Sequence, residues 1–213
     1  MLALLTLRIT LLAALAAADT HGITPHVQYS SSVGVLGCKI DTNRVAYWPM
    51  SVDCDNICVR VSYAGRSVEL LRVDQSGGAF DISYDAYNYL VSGKSARESP
   101  VAGGPVNMDV QNLLAENCAH YFRAGGGLPL SASNSMNYVA SCLQVPSSFV
   151  ARNHTLWNIQ DPVCQWGYDE PCSLDLVKSN QPSCPHGLGT TNGRLPDTVF
   201  NIEYPSGARV AAP

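Results

Sequence analysis

Residues Cys54 to Leu90 read CDNICVRVSYAGRSVELLRVDQSGGAFDISYDAYNYL. Between Val59 and Tyr63 apolar and polar side chains alternate, which is typical of a half-buried strand. Ala64-Gly65 is a tight-turn signal, and the segment from Ser67 to Val73 is a second strand candidate. The two segments therefore predict a β-hairpin in the first half of the chain.

The segment after the hairpin predicts a loop, a short strand and a short helix. Asp74 is followed by the polar, glycine-rich loop Gln75 to Gly78, and then by Phe80-Asp81-Ile82-Ser83. Such a cluster of glycine and polar residues marks a loop. Ser83 is a favourable N-cap residue, so we expect a helix from Tyr84 to Leu90.

This order of elements resembles the double-psi β-barrel of expansins, barwin-like proteins, cerato-platanins and the rare-lipoprotein-A domain. The resemblance rests on a strand ending in Val73-Asp74, a glycine-containing loop, and the pattern A-F-D-I-S before a short alanine-containing helix. It covers the chain from Gly34 to Ser92. It implies a mainly β, secreted, fungal-type protein: a six-stranded double-psi β-barrel with short helices and an irregular, disulfide-rich C-terminal extension.

The expected organisation of the chain has four parts. Residues 1–18 are a predicted signal peptide, 19–32 an N-terminal arm, 33–95 the barrel core and 96–213 the cysteine-rich extension. Residues 198–204 alternate in polarity, so they are a candidate strand that returns to the barrel. We also expect strands at 32–38 and 44–48, and helices at 107–118 and 135–143.

The N-terminal segment, Met1 to Ala18, predicts export. It is apolar apart from Arg8 and a few neutral polar residues, and it ends in three alanines. An apolar core followed by small residues is typical of a secretory signal peptide, and no later stretch has the roughly 20 apolar residues of a membrane span. We therefore expect an extracellular protein, in which Asn153, at the start of an Asn-His-Thr motif, is a glycosylation acceptor.

The charge of the chain argues against nucleic acids and anionic membranes as partners. The formal net charge is −4, charged residues make up 14% of the chain, and no basic run occurs. Nucleic-acid-binding proteins carry basic patches instead. The composition favours a neutral cell-wall polysaccharide or a host protein as partner, and we expect a monomer.

Eight cysteines predict four disulfides, because an even number in an exported chain indicates a disulfide framework. They are Cys38, Cys54, Cys58, Cys118, Cys142, Cys164, Cys172 and Cys184. The spacing of Cys54 and Cys58 loosely matches a zinc site, but no second close pair of cysteines or histidines accompanies it, so we expect no metal and no cofactor. The connectivity stays open, although Cys54 or Cys58 is expected to bond to a distant cysteine, since a bond between them closes only a small loop.

Four residues are candidates for a binding groove. By resemblance, Asp74 and Asp81 match two polar groove positions of expansin-like proteins. Tyr47 and Trp48 carry rings that suit the apolar faces of sugars, although an ordinary buried aromatic pair is the alternative. The carboxylates also have a structural alternative, in which Asp74 accepts hydrogen bonds from loop amides and Asp81 caps a turn.

Three functions follow from these residues and the resemblance. The first is binding of cell-wall polysaccharide in the barrel groove without hydrolysis, which makes the protein a binding protein rather than an enzyme. The second is a weak glycoside hydrolase with Asp81 as general acid; it also needs a second carboxylate, for which Asp41 and Asp53 are candidates by location only. The third is a secreted effector or elicitor that acts through protein interaction, with the barrel as a scaffold.

A fourth alternative depends on where the signal peptide is cleaved. Cleavage after Thr20 makes His21 the first residue, as in copper-dependent polysaccharide monooxygenases, with a second ligand from His120, His154 or His186. Threonine is a poor residue at the end of a signal peptide, whereas Ala18 is a good one. This alternative therefore conflicts with the preferred cleavage site.

Overall fold

A six-stranded barrel forms the first half of the protein. The computed structural model describes residues 18–213, so the predicted signal peptide lies outside them except for Ala18. The barrel strands are β1 (Asp19–His26), β2 (Val45–Trp48), β3 (Cys58–Tyr63), β4 (Arg66–Gln75), β5 (Phe80–Ser83) and β6 (Val106–Leu113). They close in the order β1-β5-β2-β4-β3-β6.

The pairing of these strands has an internal two-fold exchange. β1 is parallel to β5 and β2 is parallel to β4, while the other neighbouring strands are antiparallel. If β1, β2 and β3 are exchanged with β4, β5 and β6, respectively, every pairing and its direction stay the same. Two interlocked units that each contribute a strand to both parallel pairs make a double-psi barrel. The predicted fold class is therefore confirmed.

The predicted hairpin is formed by β3 and β4. Ala64 and Gly65 join them with φ values of 49° and 77°, which suit a type I′ turn and its right-handed twist. After β5 comes α1 (Tyr84–Ser92), and Ser83 is its N-cap residue. The Ser83 hydroxyl makes no capping hydrogen bond; it donates instead to the carbonyl oxygen of Asn43 at 2.6 Å.

Two segments outside the expected barrel limits belong to the barrel. Residues 19–26, expected in an N-terminal arm, are strand β1, which pairs with β5 and β6. Residues 106–113 are strand β6, although a helix was expected from residue 107. In β6 the apolar side chains of Val106, Met108 and Val110 recur at every second position, which is the period of a strand and not of a helix. The barrel therefore extends from residue 19 to residue 113, beyond the expected 33–95.

The C-terminal part has more regular structure than the expected irregular extension. Its elements are β7 (Leu128–Ser131), α2 (Met136–Leu143), α3 (Phe149–Arg152), β8 (His154–Ile159), β9 (Gly167–Cys172), β10 (Phe200–Ile202) and β11 (Arg209–Ala211). β7, β8 and β9 form a sheet, and the candidate glycosylation residue Asn153 lies between α3 and β8, partly exposed. Residues 198–204 do not return to the barrel. They contain β10, which pairs with β11 across a turn. None of the helices in the described residues is both long and apolar enough to cross a bilayer.

Alternation of side chains along the barrel strands creates two hydrophobic cores. Side chains on the inner faces, including Ile23, Val61 and Ile82, fill the barrel. Side chains on the outer faces of β2 and β4, including Tyr47 and Val73, pack against the C-terminal part. α1 packs against β1, β3, β4 and β5, so it covers one end of the barrel.

Three of the four disulfides are nested in one another. Cys38–Cys164 encloses Cys54–Cys142, which encloses Cys58–Cys118, and the fourth is Cys172–Cys184. Cys54 and Cys58 therefore both bond to distant cysteines, which confirms the expectation for this pair. All eight cysteines are used, and the nested bonds connect the first half of the barrel to the chain that follows it.

Candidate functional site

The barrel is open at the end opposite to α1. β1 and β5 are parallel, so Asp19 and Phe80, at their starts, lie away from Ser83, where α1 begins. β2 runs antiparallel to β5, and β4 is parallel to β2, so the ends of both strands lie near Phe80. A cleft of about 760 Å³ occupies this end. We call it the barrel mouth and define it by Asp19, His21, Trp48, Asp53, Arg72 and Phe80.

Aromatic rings form one wall of the barrel mouth. The imidazole of His21 stacks on the ring of Phe80, with centroids 4.0 Å apart and an interplanar angle of 15°. Trp48 meets Phe80 edge-on, at a centroid distance of 5.3 Å. Rings held in this way offer a rigid apolar surface with polar edges, and such surfaces bury large contact areas in ligand sites.

Arg72 is the buried cation of the barrel mouth, with only 5% of its surface exposed. Its guanidinium donates to the carbonyl oxygens of Asn56 at 2.9 Å and Ser51 at 3.1 Å, and its charge lies 5.1 Å from the centre of the Trp48 ring. Burial lowers the pKa of Arg72, while the neighbouring Asp53 acts to raise it. These bonds fasten the loop that follows β2 onto the barrel.

Within residues 18–213, two buried N–H groups at the mouth have no hydrogen-bond partner. They are Nε of Arg72 and Nε1 of Trp48, and Trp48 is 4% exposed. An unpaired buried donor costs about 1–3 kcal/mol, and folded proteins pair nearly all such groups. Both residues line the same cleft, but the two nitrogen atoms have almost no surface open to it, so a ligand oxygen would reach them only after neighbouring side chains move.

The carboxylates of Asp19 and Asp53 also line the mouth. Burial acts to raise the pKa of Asp53, but the N–H donors of Asn56 and Asp55 and the charge of Arg72 outweigh it and hold the pKa below its usual range. Both backbone N–H groups donate to Oδ1 of Asp53 at 2.7 Å. Asp53 is therefore an ionised hydrogen-bond acceptor at neutral pH, and it is unsuited to donating a proton.

The four residues expected in the groove lie on two faces of the sheet. Adjacent residues of a strand point to opposite faces, so Trp48 faces the barrel mouth and Tyr47 faces outward. Tyr47 pairs with Asp81 on one neighbouring strand and, after a β-bulge, with Asp74 on the other. The bulge puts Asp74 on the same outer face as Val73, so both carboxylates lie on the face of Tyr47. Strand geometry therefore separates Trp48 from the other three residues.

Tyr47 and Asp74 are covered by other parts of the chain. Tyr47 is 4% and Asp74 9% exposed, and burial raises the pKa of Tyr47. The Asp74 carboxylate accepts hydrogen bonds from the Ser30 hydroxyl at 2.5 Å and from the backbone N–H groups of Ser32 at 2.9 Å and Gln75 at 2.8 Å. Asp74 therefore fastens residues 30–32 onto β4, and neither side chain offers an open surface to a ligand.

Replacing Asp74 with alanine is expected to lower the free energy of unfolding by about 2 kcal/mol, because three donors lose an ionised acceptor. Urea unfolding followed by circular dichroism measures the change. Asp109→Ala is the matched control, since Asp109 is exposed and accepts from the Thr20 hydroxyl; it is expected to stay within about 0.5 kcal/mol of the wild type. Equal losses in the two variants would contradict a structural role for Asp74.

Asp81 is half-buried on the outer face and accepts a hydrogen bond from the Thr24 hydroxyl. Of its two candidate partner carboxylates, Asp53 lines the barrel mouth, from which Asp81 faces away. Asp41 accepts from the backbone N–H of Asn43 at 3.1 Å and caps a short 3₁₀ helix. The geometry thus gives each carboxylate a separate local role.

The chain matches no protein-family model and no curated protein. Among solved structures, the crystal structure of cerato-platanin 2 from M. perniciosa is similar to 47% of this chain and 98% of that chain, with a TM-score of 0.36 and 16% sequence identity. The double-psi assignment rests on the strand pairing described above.

The histidines of the copper alternative lie in separate local contacts. They are His21 on the mouth wall, His120 beside Tyr121, His154 at the start of β8 and His186 beside Glu170. Among residues 18–213, no ring contact joins any of the other three to His21. The same residues contain no group of three His, Cys, Asp or Glu side chains arranged to hold a metal ion.

Sequence reasoning missed Arg72 and Phe80 as residues of the site, and it named His21 only as a copper ligand. A signal was present for one of them, because Phe80 and Ile82 alternate with Asp81, so the two apolar side chains had to share the inner face. Arg72 and His21 carried no comparable signal. A lone arginine in a strand and a histidine near the N-terminus become neighbours only when the barrel closes.

Proposed function

We propose that this protein is an extracellular binding protein that holds a neutral polysaccharide chain in the barrel mouth without hydrolysing it. The observation that carries the proposal is the cleft at the open end of the barrel, which is walled by the stacked rings of His21 and Phe80 and bordered by hydrogen-bonding side chains. Export belongs to the proposal, and the four disulfides support it, because such bonds persist in oxidising compartments.

A sugar suits the chemistry of the barrel mouth. Sugar rings combine apolar C–H faces, which pack on aromatic rings, with hydroxyl groups that both donate and accept hydrogen bonds. Asp19 and Asp53 offer acceptors, and the side-chain amides of Gln111 and Asn112 offer both donors and acceptors. A cleft of about 760 Å³ lies within the ordinary size range of ligand sites.

The charges at the mouth favour a neutral chain over an acidic one. Two carboxylates, Asp19 and Asp53, face one guanidinium, Arg72. Cleavage after Ala18 would give Asp19 a free α-ammonium group, so the charges of the mouth would balance and offer an anionic sugar no net attraction. Neutral glucan and chitin-like chains need no such attraction.

Binding without hydrolysis is supported by the lowered pKa of Asp53 and by the orientation of Asp81. Glycoside hydrolysis needs one protonated acid and one base or nucleophile on either side of the bond. Asp53 has a lowered pKa, which is the wrong direction for a general acid. Asp81, the acid that the resemblance implies, faces away from the mouth and is bonded to Thr24.

Retention on insoluble polysaccharide tests the proposal. The purified protein is expected to sediment with at least one of cellulose, chitin and peptidoglycan at low salt, with no release of reducing sugar. Phe80→Ala is expected to weaken retention about tenfold, which corresponds to about 1.4 kcal/mol, because it removes half of the stacked wall.

Tyr89→Ala is the matched control for this experiment. It removes an aromatic ring of similar exposure from α1, which covers the opposite end of the barrel. We expect its retention to equal that of the wild type. The proposal would be refuted if the wild type sedimented with none of the three polysaccharides. It would also be refuted if the Phe80 variant were retained as well as the wild type.

A further inference from the structure

A second cleft, of about 450 Å³, lies where the 3₁₀ segments before β2, the loop after α1 and the C-terminal chain meet. Three arginines from distant parts of the sequence line it: Arg97, Arg123 and Arg209. All three are exposed to solvent. We call this the arginine cleft and define it by these residues.

The positive charge of the arginine cleft is only weakly compensated. Arg123 has a carboxylate partner, Asp41, at the long distance of 3.7 Å. Among the described residues, no carboxylate oxygen lies within 4.0 Å of Arg97 or Arg209. This concentration of cations is unusual for a chain whose net charge is −4, and it attracts anions to one point of the surface.

One of the arginines is held in place by an aromatic ring. The guanidinium of Arg209, on β11, lies 3.4 Å from the centre of the Phe200 ring on the paired strand β10. A guanidinium stacked on a ring keeps its in-plane N–H groups free, and these match the two oxygens of a carboxylate. Arg209 is therefore oriented before any ligand arrives.

The remaining lining groups recognise hydroxyls rather than charge. Asp197 places a carboxylate in the same cleft, and Thr42 and Asn43 add neutral polar side chains. A carboxylate repels a bare anion but accepts hydrogen bonds from hydroxyl groups. The combination of arginines with such acceptors suits a ligand that carries both oxyanions and hydroxyls.

We propose that the arginine cleft binds an acidic oligosaccharide whose sugar rings carry carboxylate groups, a polyuronate. The site is separate from the barrel mouth, and it has a positive balance of charge that the mouth lacks. The positively charged surface of the cleft is also short, because acidic residues such as Asp41 and Asp197 lie beside the arginines. A nucleic acid requires a longer basic surface, whereas a short uronate segment requires only a few arginines.

Isothermal titration of the purified full chain with tetragalacturonate tests this proposal, with cellotetraose and inorganic phosphate as comparison ligands. We expect tetragalacturonate to bind and phosphate to bind more weakly. Any heat from cellotetraose, which would bind in the barrel mouth, is expected to be unchanged in the Arg97 and Arg209 variants. Arg97→Gln and Arg209→Gln are each expected to weaken uronate binding about tenfold, or about 1.4 kcal/mol. Raising the salt to about 0.5 M is expected to weaken it too, because exposed charges are screened.

Arg152→Gln is the matched control, since it removes the same charge from an exposed arginine on α3, outside the cleft. Its affinity is expected to equal that of the wild type. The proposal is overturned if tetragalacturonate does not bind, if phosphate binds as tightly, or if all three variants lose the same affinity. Retention on neutral polysaccharide should be unchanged in the Arg97 and Arg209 variants. The proposal for the arginine cleft can therefore fail while the proposal for the barrel mouth holds, and the reverse.

Discussion

The double variant Cys38→Ser/Cys164→Ser is expected to lose about 4 kcal/mol of unfolding free energy. The bond spans 126 positions of sequence, but in the unfolded chain the nested Cys54–Cys142 bond shortens the loop that it closes. That loop runs from Cys38 to Cys54 and from Cys142 to Cys164, about 40 residues, and closing a loop of this length removes about 4 kcal/mol of chain entropy. Such a loss is a large part of the stability of a single domain.

Denaturant unfolding of the oxidised variants measures this effect. Cys172→Ser/Cys184→Ser is the control, because that bond closes a loop of only 12 positions at the edge of the C-terminal part. Its loss is expected to be smaller, at most about 3 kcal/mol. If the control were destabilised as much as the Cys38/Cys164 variant, loop length would not explain the contribution of the nested bond.

Replacing Arg72 with methionine is expected to lower the free energy of unfolding by about 3 kcal/mol. Methionine fills a similar volume but cannot donate to the carbonyl oxygens of Ser51 and Asn56, so both lose a charge-assisted hydrogen bond. Asp53 also loses the nearby positive charge that helps to lower its pKa. We expect the loop after β2 to exchange its amide hydrogens faster in this variant.

Thermal unfolding and hydrogen exchange together test the role of Arg72. Arg60→Met is the matched control, because the Arg60 side chain is 41% exposed and pairs with Glu69 at 2.8 Å on the barrel surface. Exposed ion pairs contribute about 0–1 kcal/mol, so this control is expected to change little. An unchanged exchange rate in the loop of the Arg72 variant would argue against the proposed fastening.

The parts of the fold that were predictable are those specified by local sequence. Alternation, a tight turn and a glycine-rich loop specify β3, β4, β5 and α1 within one continuous stretch. Strand β1 was missed because its partners, β5 and β6, lie far along the chain and pair with it only in the closed barrel. The helix expected at 107–118 was wrong over 107–113, because the two-residue period of β6 was not recognised. Only its end falls in a 3₁₀ helix, Ala115–Tyr121.

The candidate site was less predictable than the fold. Tyr47 and Trp48 are adjacent in sequence, and their shared aromatic character suggested one surface, but a strand sends neighbours to opposite faces. The mouth wall joins residues 21 and 80, and Arg72 reaches it from a third strand. Only the order of the strands in the barrel brings these residues together, and no local pattern encodes that order.

The nesting of three disulfides also determines what a protease can release from this protein. Any single cut between Cys38 and Cys164 falls inside at least one bond, so the two pieces remain covalently joined. A molecule nicked in the exposed loop between α1 and β6 would separate into fragments only after reduction. In a protease-rich environment outside the cell, such a nicked molecule would keep its barrel attached to its C-terminal half.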